Sequence, residues 1–203
     1  MLDNLKKYNV VLASNSPRRK ELLQRLGIPF KVRTLFGIDE SYPDTLRGED
    51  IVRYISRNKA NAYRSSMGPD ELLITADTIV YLQGEVMGKP HDADDARRML
   101  RALAGQVHQV ITGVTIITAN DMENFAVTSQ VKFSDLSDDE INYYVDRYLP
   151  LDKAGAYGIQ EWIGLVGVES ISGSFYNVMG LPVQRIYEEL TASFGLNLDS
   201  INP

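Results

Sequence analysis

Val10-Val11-Leu12-Ala13-Ser14-Asn15-Ser16-Pro17-Arg18-Arg19-Lys20-Glu21-Leu22-Leu23 is the stretch from which the fold can be read. Val10 to Leu12 form a short apolar run of the buried-strand kind. Ser14 to Ser16 make a polar turn, and Pro17 is the first residue of a helix capped by Ser16. Arg18, Arg19 and Lys20 then fall in the first helical turn, where the helix dipole disfavours each cation by about 0.3–1 kcal/mol. A strand, a polar turn and a cationic helix start make a cradle for a phosphate. The plainer option is that the three side chains reach into solvent.

The alternation opened here continues along the chain. Leu22, Leu23 and Leu26 share a helical face that Gly27 ends, and Pro29-Phe30 starts a new direction. The spacing predicts a second helix over Glu49–Tyr63, with Ile51, Val52, Ile55, Ala62 and Tyr63 as apolar positions and Lys59 on or beside that face. Leu72 to Ala76 read as a buried strand that ends at Asp77-Thr78 before Ile79-Val80-Tyr81 resume β character. Gly84 and Gly88 flank a turn. Further helices are predicted over Asp92–Leu103, over Asp138–Tyr148 behind a Ser137 cap, and over Pro182–Phe194; strands are predicted over Val107–Thr118 and Val127–Phe133. A Gly-rich stretch fills Gly155–Gly180. This order points to an α/β or α+β fold around one mixed sheet, and 203 residues make one domain the default.

Composition excludes several chemistries. Without cysteine the chain has no disulfide, thiolate nucleophile or cysteine-bound zinc. A formal charge of −6 argues against broad nucleic-acid binding, which needs a basic face. Met1 to Lys7 contain no apolar leader segment, and no uninterrupted apolar run approaches the ~20 residues of a membrane span, so a cytoplasmic protein is expected. His91 and His108 are not at a metal-ligand spacing, and no Gly-x-Ser-x-Gly elbow supports a serine triad. Gly88-Lys89-Pro90 is not a Walker A motif, because the upstream glycine spacing is wrong and Pro90 stands where Ser or Thr would hold magnesium.

Two polar residues intrude into apolar context: Asp77, in Ile74-Thr75-Ala76-Asp77-Thr78-Ile79-Val80, and Gln160, in Tyr157-Gly158-Ile159-Gln160. A carboxylate at that place can bind Mg²⁺ or take a proton from water; its structural alternative is to cap a turn. Glu40 and Lys59 could add a metal ligand and a phosphate contact, although taken singly Glu40 reads as solvated and Lys59 as a side chain that lays its stem on the core.

Taken together, Ser14-Asn15-Ser16-Pro17-Arg18-Arg19, Ala76-Asp77-Thr78, Gly88-Lys89-Pro90, Thr112-Gly113-Val114, Lys153-Ala154-Gly155-Ala156-Tyr157-Gly158-Ile159-Gln160 and Asn177-Val178-Met179-Gly180-Leu181-Pro182 resemble the Maf family of nucleoside triphosphate pyrophosphatases. The resemblance runs from about Val10 to Leu190. It implies a two-lobed mixed α/β fold with a central cleft, of the Maf/inosine triphosphatase kind, over a single domain of residues 1–203. It also implies a divalent cation, Mg²⁺ or Mn²⁺, and cleavage of a nucleoside triphosphate to the monophosphate and pyrophosphate. By matched position, Asp77 is the general base, and Arg18, Arg19, Lys59 and Lys89, with Ser14, hold the triphosphate. Glu40 joins Asp77 at the metal. Arg18, Thr78 and Gln160 together resemble the branch acting on dTTP and UTP. Glu161 departs from the family pattern, which has glycine after Gln160. The alternatives are a regulatory nucleotide-binding module, for instance in cell division, and a pyrophosphatase for modified purine nucleotides such as 7-methyl-GTP. A homodimer is left open.

Overall fold

The structure, a computed structural model, describes residues 8–194. The reading of Met1 to Lys7 therefore lies outside the described residues. Seven strands and seven α-helices alternate through the described chain: β1 (Asn9–Leu12), α1 (Pro17–Arg25), β2 (Lys31–Val32), α2 (Glu49–Tyr63), β3 (Glu71–Leu82), β4 (Glu85–Met87), α3 (Ala93–Leu103), β5 (Val107–Ile117), β6 (Met122–Phe133), α4 (Asp138–Tyr148), α5 (Trp162–Val166), β7 (Val168–Ser172), α6 (Phe175–Met179) and α7 (Val183–Ala192). The strands form one mixed α/β sheet in the order β2-β1-β3-β5-β6-β7, with β4 paired to β3. β1 runs parallel to both β2 and β3, while β4 and β7 run antiparallel to β3 and β6.

The chain divides into two compact units. The first comprises Met1–Asp77, Thr112–Val127 and Gly180–Pro203; the second comprises Thr78–Ile111 and Thr128–Met179. The first unit is built on β1, whose three buried residues pair in parallel register with Leu72, Leu73 and Ile74. A cluster of Val11, Ala60, Tyr63, Leu73 and Ile117 joins α2 to the sheet. Within α2 the buried alanine is Ala60, whereas Ala62 is exposed, so the apolar face is rotated slightly from the predicted one.

How α2 docks explains the Thr112-Gly113-Val114 motif. A Cβ at Gly113 would lie 2.3 Å from the Val52 carbonyl oxygen, so only glycine lets the helix backbone approach β5 this closely. Around that contact the buried polar groups satisfy one another. Thr75 Oγ1 donates to the Ser56 carbonyl at 2.7 Å, Thr115 Oγ1 to Ser56 Oγ at 3.1 Å, and Asn124 Nδ2 to Thr115 Oγ1 at 2.7 Å.

In the second unit α3 and α4 present complementary faces. Ala96, Met99, Leu100 and Leu103 are buried on one; Ile141, Tyr144 and Val145 on the other. Arg97 links them by donating to Asn142 Oδ1 at 3.0 Å and to Asp146. The predicted Ser137 cap is a full capping box: Ser137 Oγ accepts from the Glu140 N–H, and the Glu140 carboxylate accepts from the Ser137 N–H. The β3–β4 turn sits at Gln83-Gly84, both at positive φ, with Gly88 beyond β4.

Candidate functional site

In the first unit the N-terminal cradle forms as the sequence predicts. Ser16 caps α1, its Oγ accepting from the Arg19 N–H at 3.4 Å, and the Ser14 hydroxyl accepts from the Ser16 N–H at 3.2 Å. No acidic residue stands in the first turn of α1 to offset Arg18, Arg19 and Lys20. Arg19 faces inward. Its Nε donates to the Gly180 carbonyl at 2.8 Å and its Nη1 to the Ala76 carbonyl at 2.9 Å, which fastens the start of α1 to the residue before Asp77. Burial lowers the pKa of this guanidinium, and the charges of Asp77 and Glu40 counter that shift, so the site carries a desolvated cation matched by carboxylates.

Asp77 does not end the strand. β3 continues unbroken from Glu71 to Leu82, and the carboxylate is accommodated because a lysine meets it. Lys59 follows the buried Ile55 by one turn of α2 and precedes the buried Tyr63 by another, so its stem lies on the core. Its ammonium is 2.7 Å from Asp77 Oδ1 and 2.8 Å from Glu40 Oε1. The Lys59 and Asp77 side chains are each 14% exposed and that of Glu40 is 55% exposed, so the pair is largely sheltered while its acidic neighbour stands at the rim. The loop bearing Glu40 is shaped by Asp39, whose carboxylate accepts from the Ser41 N–H and hydroxyl, each at 2.8 Å. Ser14, Arg18, Arg19, Glu40, Lys59 and Asp77 thus all belong to the first unit, and within it Arg19, Glu40, Lys59 and Asp77 are electrostatically linked.

The second unit carries Thr78, Lys89 and Gln160. Thr78 is half-buried, and Lys89 and Gln160 are exposed. The Gly88 carbonyl accepts from the Gly155 N–H at 3.0 Å, which joins the Gly88-Lys89-Pro90 segment to the start of the Lys153–Gln160 segment. Two residues of this unit escape sequence reasoning. Lys153 is buried and forms ion pairs with Asp152 at 2.7 Å and with Glu161 at 3.1 Å. Tyr144 donates its hydroxyl to Glu161 Oε2 and accepts from the Gly158 N–H at 3.0 Å. The signal in the sequence is a lysine opening the run of small residues Ala154-Gly155-Ala156, which does not by itself reveal its burial. Near this group His108 and Tyr157 hydrogen-bond at 2.7 Å and pack edge-on with Phe133.

What this arrangement can do follows from its charges. A sheltered carboxylate and lysine with a second carboxylate at the rim can orient water and meet phosphate oxygens, and the capped, cationic start of α1 offers N–H groups to an anion. No helix among the described residues is long and apolar enough to cross a membrane.

Comparison with known proteins places the chain. It is 63% identical over 190 residues to a dTTP/UTP pyrophosphatase of Phocaeicola vulgatus, covering 94% of this chain and 98% of that protein. A dTTP/UTP pyrophosphatase of Porphyromonas gingivalis is 54% identical over 192 residues, covering 94% and 96%. Among solved structures, a Ham1 protein of Staphylococcus aureus is 14% identical with a TM-score of 0.47, over 63% of this chain and 72% of that one. Residues 9–193, nearly all of the described chain, match the family described as Maf-like protein. The chain belongs to the Maf-like protein family.

Proposed function

We propose that this protein hydrolyses nucleoside triphosphates, dTTP and UTP foremost, to the monophosphate and pyrophosphate, with residues 1–203 working as one catalytic domain. The observation that carries the reading is Lys59 held between Asp77 and Glu40 in the first unit. Relatives named dTTP/UTP pyrophosphatase, alike over almost their whole length, support the substrate class.

In this reading water oriented or deprotonated by Asp77 attacks the α-phosphorus, the bond to the bridging oxygen breaks, and pyrophosphate leaves in line. Arg18, Lys59 and Lys89 neutralise the triphosphate, with Ser14 and Thr78 as hydroxyl contacts. Arg19 joins them as a cation while also bracing the start of α1 against β3. Gln160, a donor and acceptor on one amide, pairs with the edge of a pyrimidine.

Asp77 and Glu40 also fit a divalent cation. Both offer hard carboxylate oxygens and both already face one positive charge, which is the donor set that Mg²⁺ or Mn²⁺ takes together with phosphate oxygens and water. Among the described residues no group of three or more such ligands stands together, so substrate oxygens would complete the shell. A bound cation would supply neutralisation of charge developing on the phosphate oxygens. The reading places the reaction in the cytoplasm, with no nucleic-acid partner and a homodimer left open.

The test is release of pyrophosphate and of orthophosphate from dTTP, UTP, CTP, dATP, GTP and 7-methyl-GTP with Mg²⁺. Wild-type protein is expected to release pyrophosphate from dTTP and UTP, and Asp77→Asn to lower kcat by roughly 10³-fold with its fold intact. Near-normal turnover by folded Asp77→Asn would remove Asp77 from the chemistry. Binding without turnover of any triphosphate would make the protein a nucleotide-binding module.

A further inference from the structure

The segment that presents Gln160 is held by groups with no part in the proposed chemistry. Gly158 and Glu161 close a turn through the Glu161 N–H and the Gly158 carbonyl, 2.9 Å apart. One hydroxyl then ties both ends of that turn to α4. Tyr144 Oη accepts from the Gly158 N–H at 3.0 Å and donates to Glu161 Oε2. Glu161 Oε1 in turn receives Lys153 Nζ at 3.1 Å. The packing is tight enough that a Cβ at Gly158 would lie 2.9 Å from Glu161 Cδ and 3.0 Å from Lys153 Cε. On the far side Ile159 is buried, and a Cβ at Gly164 would lie 1.8 Å from the Ile159 carbonyl oxygen. Gln160 alone of Lys153 to Gln160 is exposed.

We infer that Tyr144, Glu161 and Lys153 form a latch that fixes the Gly158–Glu161 turn, and that Glu161 is thereby a positioning residue for recognition of the nucleobase by Gln160. This rests on the proposed reading of Gln160. The Glu161 carboxylate is turned inward onto Tyr144 and Lys153, so it adds no charge to the surface that a base would meet. An exposed amide on a loose turn would have to be ordered at every binding event, at a cost in affinity, whereas a latched turn carries that ordering beforehand. The gain belongs to the substrate whose edge the amide pairs with, so it appears as discrimination in favour of uracil and thymine triphosphates.

Two variants separate the parts of the latch. Tyr144→Phe keeps the ring and removes both hydroxyl bonds. Glu161→Gln keeps the shape and a hydrogen-bonding group but removes the charge, leaving Lys153 its pair with Asp152. Tyr144→Phe is expected to raise KM for UTP and dTTP about tenfold with kcat nearly unchanged and kcat/KM for GTP unchanged, so discrimination falls by the same factor. Glu161→Gln should give a smaller change in the same direction, and the double variant should be no worse than Tyr144→Phe. Amide hydrogen exchange at Gly158 and Glu161 should accelerate at least about tenfold in Tyr144→Phe while amides of α3 keep wild-type protection. Wild-type exchange at the turn, equal losses for pyrimidine and purine triphosphates, or additive single effects would overturn the latch. If wild-type protein turned over no triphosphate, the functional reading would fall, and exchange at Gly158 would still decide whether the turn is latched. Active protein with unaltered discrimination in both variants would overturn the latch alone.

Discussion

Each unit holds one lysine between two carboxylates, and the two arrangements are finished differently. Lys59 meets Asp77 and Glu40, which come from a strand and a loop 18 and 19 residues away, and Glu40 stands more than half in solvent. Lys153 meets Asp152 beside it, itself 61% exposed, and Glu161 eight residues on; its side chain is 9% exposed, and Tyr144 takes the second oxygen of Glu161, so the two sites differ at the inner carboxylate and not at the rim. In the second unit a neutral hydroxyl completes the Glu161 carboxylate, so the Lys153–Glu161 pair is a closed structural element. Burial, followed by the Glu161 bond, holds the Tyr144 pKa well above the usual phenol range and keeps its hydroxyl a donor. In the first unit a long flexible ammonium supplies the charge contact at Asp77, and a ligand of either sign can exchange with it.

The largest expected effect tests that contrast directly. Lys59→Met should lower kcat/KM for UTP by roughly 10²–10³-fold, with the urea midpoint shifted much less. Lys153→Met should do the reverse, removing about 3 kcal/mol of stability by leaving Glu161 sheltered without its cation, with a smaller change in activity. If the two variants exchanged these signatures, the distinction between an open and a closed lysine site would be broken.

The interior of the second unit supplies the next effect. Burial lowers the His108 pKa from 6.5 to about 4, so the folded protein keeps a neutral imidazole where the unfolded chain takes up a proton. Stability is therefore whole above about pH 6.5 and is lost as pH falls toward 4, by roughly 2–3 kcal/mol at pH 4.5. Urea unfolding at pH 7 and pH 4.5 should show this drop in wild-type protein and a much flatter response in His108→Leu. An equal drop in the variant would move the acid-sensitive group elsewhere. The smallest effect sharpens the picture of α4, which carries Tyr144: Ser137→Ala should cost about 1 kcal/mol through loss of the capping box, read as a lower urea midpoint with activity unchanged.

Local patterns made much of the fold legible. The bounds of α2 and α4 follow from apolar spacing with, at α4, the Ser137 cap, and Ser16-Pro17 marks the start of α1. Lys59 is legible because helical spacing puts a cation against an apolar face. What stayed hidden depends on partners distant in sequence. In sequence Asp77 reads as the end of a strand because a lone carboxylate is costly there, and only the position of Lys59 removes the cost. β2 has two residues, and β7 is an edge strand with every side chain half or fully exposed, so neither leaves a strong apolar signature. The first residues of β6, Met122 to Ala126, are likewise mixed in exposure. Glu161 is legible in the sequence only as a departure from the family's glycine, because nothing in its neighbourhood announces that Tyr144, 17 residues earlier, points at it.

The unbroken course of β3 has a consequence for insertions and deletions. Val10, Val11 and Leu12 are paired one-to-one with Leu72, Leu73 and Ile74, and Asp77 follows three residues later. Because side chains alternate along a strand, the parity of that interval decides which of Asp77 and Thr78 faces Lys59. Adding or removing one residue between Ile74 and Asp77 would exchange the two, whereas a two-residue change would restore the facing but displace the carboxylate along the strand by about 7 Å. The ladder with β1 therefore acts as a ruler, and length variation in this family member is tolerable on the far side of Thr78 long before it is tolerable between the ruler and the acid.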